Sequence, residues 1–422
     1  MTSRSRATTD GDVTLAVTPA ATGYRVGEAG YRRVVVALFA AGVATFALLY
    51  STQALLPELA AAFGVSATAS TLSLSLSTAG LAAALLVAGP LSEVVGRTRL
   101  IHASVSASAV VALACALAPG WHVLLALRLL QGVTLAGLPA VATAYLREEL
   151  HPDTHARAAG LYIGGTALGG MSGRLVTGLV ADAAGWRWAL AAAAVVGLGC
   201  AVVVRLLLPA SRHFVPAPAR VDALVAMTRR ALSEPGLLAL YAVGALAMGA
   251  FVAVYNATGF RLTSAPYGLS LGAAGLVFLV YPVGSVSSAV AGRLADRFGR
   301  RDVVPVGCLV FAAGVLLTLP TSLPVVVLGL AVMTGGFFVV HGVASGWVPT
   351  RAHAGGVAAG QAGSLYLFAY YVGSSVFGSA AGRAWSAGGW PAVVVLALVL
   401  VAACGLLVAW LRRTPSLDPA RR

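Results

Sequence analysis

Apolar residues fall in twelve long runs, each close to the ~20 residues a helix needs to cross the hydrocarbon core of a bilayer. The runs cover approximately 33–57, 70–92, 100–118, 122–146, 158–181, 186–208, 236–259, 271–293, 302–320, 323–347, 356–380 and 389–411. Short helix-ending punctuation separates most of them, such as Pro119-Gly120 and the stretch from Pro320 to Pro324. One polar stretch is long. It spans 209–235, follows the sixth run, and carries Arg212, Arg220, Arg229 and Arg230. The pattern predicts an all-α polytopic membrane protein. A tail over 1–32 precedes a six-helix bundle over 33–208; a linker over 209–235 leads to a second bundle over 236–411 and a tail over 412–422.

Composition removes the competing classes. The 422 residues are 59% hydrophobic and only 10% charged, against roughly a quarter charged in a soluble domain. A disordered chain shows the reverse balance. The net charge is +14, and all 28 basic residues are Arg. A nucleic-acid binder would gather such charge on a water-exposed face, which this chain has too little polar surface to provide. Cys115, Cys200, Cys308 and Cys404 each lie inside an apolar run and read as packing residues, with no metal spacing among them. The first 30 residues have no apolar core. They predict a cytoplasmic tail rather than a cleavable signal.

The Arg residues also give an orientation. With the N-terminus inside, cytoplasmic segments hold 23 of them and the opposite side only Arg187, Arg261 and Arg383. Positive residues concentrate on the cytoplasmic side, so both termini are expected there. Arg128 and Arg174 fall within spans.

The two halves repeat each other. Gly89-Pro90-Leu91-Ser92-Glu93-Val94-Val95-Gly96-Arg97 follows the second run, and Gly292-Arg293-Leu294-Ala295-Asp296-Arg297-Phe298-Gly299-Arg300-Arg301 follows the eighth, at an offset of 203. Gly185-Trp186 and Gly389-Trp390 repeat at 204. Parallel halves of this kind characterise one large transporter class.

On these residues the chain resembles the major facilitator superfamily over about 33–411. The resemblance implies a secondary transporter that rocks two six-helix bundles around a midplane site, without ATP or another cofactor, and not an enzyme. Gly292 is expected to allow close helix approach and Gly299 a tight turn. Glu93, Gly96 and Arg97, with Asp296, Arg297, Arg300 and Arg301, form the expected gate of ion pairs at helix ends. Glu93 stands where Asp is usual and Val94 where a base is usual, so the stronger gate is expected at Asp296.

Arg128, in Arg128-Leu129-Leu130-Gln131-Gly132, resembles the span-4 signature associated with the transport pathway. A charge at that depth is costly and faces the bundle interior or water; an Arg bonded to helix carbonyls is the competing reading. Gly165, Gly169 and Gly173 form one stripe on span 5, similar to the signature of exporters. Gly170 replaces its usual Pro. Arg174 replaces its second Gly, and faces either a substrate anion or a carbonyl-lined interior.

His341 in span 10 is read either as a titrating coupling residue or as a buried structural one. Ser345, one turn away, raises an intramembrane hydrolase as a remote alternative, without the elbow or orienting carboxylate such an enzyme needs. The resemblance implies a cavity lined by Gln53, Gln131, Tyr255, Asn256, Tyr281, Phe337, His341, Tyr366, Tyr370 and Tyr371, with Tyr255 also placed to act as an interfacial anchor.

None of the 14 carboxylates falls mid-span, and Leu48 stands where many proton-coupled relatives carry Asp. Coupling would then use His341, Glu58 or the loop acids. Residues 161–174, Ser211-Arg212-His213-Phe214 and Tyr366-Leu367-Phe368-Ala369-Tyr370-Tyr371 are similar to the YnfM-like branch of inner-membrane efflux transporters, which implies proton-linked export of drugs or sugars. Uptake or facilitated transport without antiport is the alternative. The expected partners are a small-molecule substrate, protons and the lipid bilayer, with no nucleic acid, for a chain acting as a monomer.

Overall fold

The computed structural model describes residues 23–212, 214 and 221–414. Most of the tail expected over 1–32, His213, residues 215–220 of the linker and the chain after 414 lie outside the described residues.

Among the described residues, nine helices are long and apolar enough to cross a membrane. Two of them cross twice. His155–Leu207 bends at Gly185, whose φ of 81° suits glycine, and supplies spans 5 and 6. Ala359–Arg413 bends at Gly388 and Gly389 and supplies spans 11 and 12. The repeated Gly-Trp pairs therefore mark hairpin bends that a helix follows without a loop. Arg300–Leu317, eighteen residues long, is span 9 and completes twelve. The fold is two pseudo-symmetric six-helix bundles.

The remaining spans are simpler. Span 1 is Ala29–Tyr50, then a 3-10 turn at Gln53–Leu55, then Leu56–Phe63. Pro57 has no N–H to give the Gln53 carbonyl, so the helix breaks just before it. Span 2 is Ala67–Val95, span 3 Arg97–Ala116, and span 4 the pair Trp121–Leu135 and Gly137–Glu149. Span 7 is Pro235–Thr263, span 8 runs over Leu271–Phe298, and span 10 is Leu323–Ala354. Within the linker, Val221–Ser233 is a helix.

Both described ends lie on one side of the bundle, here the terminal face; the other is the far face. Spans 1 and 5 cross at very short range. A Cβ at Gly165, Gly169 or Gly173 would stand on the carbonyl oxygen of Phe39, Val43 or Ala47, so this stripe packs backbone on backbone. Gly96 and Gly299 carry φ of 99° and 90° at the start of spans 3 and 9, a conformation only glycine adopts without strain.

Candidate functional site

The halves meet toward the far face and part toward the terminal face. Gln53 Nε2 donates to Asn256 Oδ1 at 2.7 Å, and Asn256 Nδ2 to the Gly378 carbonyl at 3.1 Å. Ser375 Oγ donates to the Ser75 carbonyl at 2.8 Å. Asp182, at the far end of span 5, accepts from Ser270 Oγ at 2.5 Å and from Gly272 N at 2.8 Å, at the start of span 8. Among the described residues no hydrogen bond joins the bundles nearer the terminal face. There a Cβ at Gly160, Gly292, Gly360 or Gly363 would meet nothing within 4 Å. By hydrogen bonds among the described residues, the bundles are thus joined on the far side and not nearer the terminal face.

The unjoined side changes the expected gate. Arg97 is the hub of an ion-pair cluster: Nη2 reaches Glu93 Oε1 at 2.7 Å and Glu148 Oε1 at 3.0 Å, and Nη1 donates to Ser92 Oγ. In the second half Asp296 is exposed and has no ion pair among the described residues. Arg297 lies over the Phe298 ring, Arg300 donates to Thr350 Oγ1, and Arg301 to the Arg412 carbonyl. The formed ion pairs are therefore at Glu93 and not, as the motif suggested, at Asp296. Gly292 also makes no close approach: a Cβ there would meet nothing within 4 Å.

Arg351 instead forks onto Glu234, at 3.0 Å from Nε and 2.7 Å from Nη2. Glu234 also caps span 7 through Gly236 N and Leu237 N. Burial alone would raise the Glu234 carboxyl; the Arg351 fork and the two N–H donors outweigh it and hold the group below its ordinary value.

Arg128 is wholly buried and saturated. The break in span 1 frees the Leu48 and Leu49 carbonyls, and Arg128 takes them at 3.1 and 2.7 Å, with the Ser73 carbonyl at 2.8 Å. It also donates to Gln131 Oε1. The geometry is that of an Arg bonded to helix carbonyls.

Arg174 differs. Nε donates to Gln53 Oε1 at 2.5 Å and Nη1 to the Gly170 carbonyl. The rings of Tyr50, Tyr281 and Phe278 enclose it, with centroids 4.1, 4.6 and 4.9 Å from Cζ.

Other expected cavity residues divide. Gln53 and Asn256 are buried and bonded to each other across the halves, and Gln131 is buried with its Oε1 taken by Arg128, so these amides hold protein partners where a cavity lining was expected. Tyr255 is buried, with its OH 2.7 Å from Thr334 Oγ1, and is no interfacial anchor. His341 and Tyr370 are half-buried on the wall of the second half. His341 Nδ1 is 2.9 Å from the Tyr366 OH and its ring stacks on Phe337. Tyr371 packs edge-on against Tyr370. Glu58 accepts from Trp186 N at 2.8 Å and so caps span 6. Ser345 Oγ donates to the Gly342 carbonyl of its own helix.

Sequence reasoning missed Tyr50, Phe278, Glu148 and the Glu234–Arg351 fork. The repeat offset held one signal: Arg351 stands 203 after Glu148. Nothing in the pattern around Tyr50 or Phe278 marks them.

Comparison with known proteins completes the picture. A model of the Major Facilitator Superfamily matches residues 34–285 and 246–422. The chain is 40% identical over 397 residues to the MFS-type transporter YybF of Bacillus subtilis (strain 168), covering 94% of this chain and 98% of that one. It is 42% identical over 378 residues to the inner membrane transport protein YnfM of Escherichia coli (strain K12), covering 89% and 90%. In fold it is similar to a bacterial homologue of the human lysosomal transporter Spinster, in an inward-facing and unoccupied conformation, with TM-score 0.67 at 17% identity over 90% of this chain and 95% of that one. The chain belongs to the major facilitator superfamily, a family of multi-pass membrane transporters.

Proposed function

We propose that the chain exports small organic molecules from the cytoplasm by alternating access, as a monomer in the cytoplasmic membrane. The Arg-rich terminal face is the cytoplasmic one. The observation that carries alternating access is the one-sided joining of the halves, hydrogen-bonded on the far side through Asp182, Gln53, Asn256 and Ser375 and, among the described residues, not nearer the Arg-rich face. The glycine stripe of span 5, similar to that of exporters, supports the direction. Arrival of substrate must favour the state open to the other side for the cycle to run. Among the described mid-span residues the candidate for proton linkage is His341, half-buried in span 10, since Glu58 is committed to span 6.

A ligand panel scored by thermal stabilisation of the purified protein tests the site, because a ligand of the folded state raises its apparent stability. A drug-like or sugar-like hit should lose its stabilisation in Tyr370→Ala. A hit whose stabilisation is unchanged by that variant places binding elsewhere and defeats the cavity assignment.

A further inference from the structure

The two buried cations are coordinated very differently. Arg128 has oxygen partners on all three of its nitrogens. Arg174 is equally buried, at 1% exposure, but only Nε and Nη1 donate. Among the described residues Nη2 has no hydrogen-bond partner, and three aromatic rings lie around the guanidinium carbon Cζ. Arg174 stands about 16 Å along span 5 from the bend at Gly185, which is mid-membrane. No carboxylate accompanies it. Glu58 is bound to Trp186 N and Asp182 to the start of span 8; the other described carboxylates lie toward the terminal face. A guanidinium stays charged, and burying it without a counter-charge is costly.

We propose that the transport site takes a small organic monoanion with an aromatic or apolar body, that its oxyanion docks on Arg174 Nη2, and that the membrane potential drives its export. The proposal rests on the exporter reading and adds its substrate class and driving force. Tyr50 and Arg174 belong to the first half, whereas Tyr281 and Phe278 belong to the second. The second half's rings therefore leave the cation when the far seal opens. A bound oxyanion supplies what those rings withdraw, so it favours the opened state over the sealed one. Half-buried Phe46 and Met171 lie one turn toward the terminal face from Tyr50 and Arg174, and mark the approach from the cavity. An inside-negative potential of 100 mV, about 2.3 kcal/mol per charge, sustains an outward anion gradient of about 50-fold. Export of an anion thus needs no proton-binding carboxylate at mid-membrane.

The full chain is reconstituted in liposomes with a potassium gradient and valinomycin to set the potential, at equal pH on both sides. The probes are benzenesulfonate, neutral benzenesulfonamide and phenyltrimethylammonium. Protein-dependent flux of benzenesulfonate is expected, reversing with the potential and approaching about 50-fold asymmetry per 100 mV. Arg174→Gln should reduce it more than tenfold. Arg174→Lys, which keeps the charge, should keep the preference for the anion at a lower rate and so separates charge from folding. Protein-dependent flux of only the neutral or cationic probe overturns the anion site and leaves the exporter reading standing. Benzenesulfonate flux that ignores the potential and follows a pH gradient overturns the driving force. No protein-dependent flux of any probe overturns the proposal and the exporter reading together.

Discussion

The two halves carry the same loop motif and wire it differently. In the first, Arg97 gathers Ser92, Glu93 and Glu148 into one cluster across spans 2, 3 and 4. At the repeat offset the counterparts of Glu93, Arg97 and Glu148 are Asp296, Arg300 and Arg351. One reversal of sign, Glu to Arg, forbids the same cluster. Arg300 settles on Thr350, Arg351 turns to Glu234 at the head of span 7, and Asp296 is left in solvent. A duplicated motif therefore need not be a duplicated device. The first copy is a formed tie; the second has moved its tie to the linker junction and freed a carboxylate.

The largest expected effect is at that relocated tie. Both partners are mostly buried, with side-chain exposures of 8% for Arg351 and 15% for Glu234. Arg351→Gln should cost about 3 kcal/mol in a chemical or thermal unfolding measurement, near the low end for breaking a buried pair. Because the Glu234 carboxyl is held below its ordinary value, its contribution is complete above the unfolded value of about 4.3. It fades as pH falls through the lower folded value, so wild type and variant should converge in acid. Arg97→Gln should cost about 2 kcal/mol, since its carboxylate partners are wetter. An equal or larger loss there would erase the distinction between the halves.

The helix crossings differ in the same way. Gly169 faces backbone of span 1, whereas Gly249 of span 7 faces the Phe377 ring. Gly169→Ala must move a helix and should cost about 2 kcal/mol, while Gly249→Ala displaces one ring for about 1 kcal/mol. Melting curves showing the opposite order would reject this reading. The smallest stability effect belongs to Asp296→Asn, within about 0.5 kcal/mol. Its transport rate should nonetheless fall if the freed carboxylate pairs in another state; unchanged flux would remove it from the gate.

Much of the fold was legible because lipid leaves a helix few alternatives: twelve apolar runs became twelve spans, and the Gly-Trp repeats became two bends. The partners of polar residues were not legible. Periodicity places Gln131 and Arg128 on one face of span 4, but the carbonyls that claim Arg128 are available only because the regular helix of span 1 ends at Tyr50. Gln53 and Asn256 read as cavity residues for a similar reason. A mid-span amide gains by being bonded, and sequence does not say whether to a ligand or to the other half. Arg351 is the sharpest case, because a loop reading assigns it to orientation while its fork onto Glu234 depends on a helix start 117 residues earlier.

The Gln53–Asn256 bond has a further consequence. Its two ends are 203 residues apart, which is the repeat offset itself, so each amide meets its own counterpart across the pseudo-two-fold axis. In a symmetric dimer such a contact is isologous: the same patch recognises itself. The covalent connection between the bundles then adds proximity rather than instruction. Two separately expressed halves would find the correct facing from that axis, and a chain cut within the linker should reassemble with the same seal.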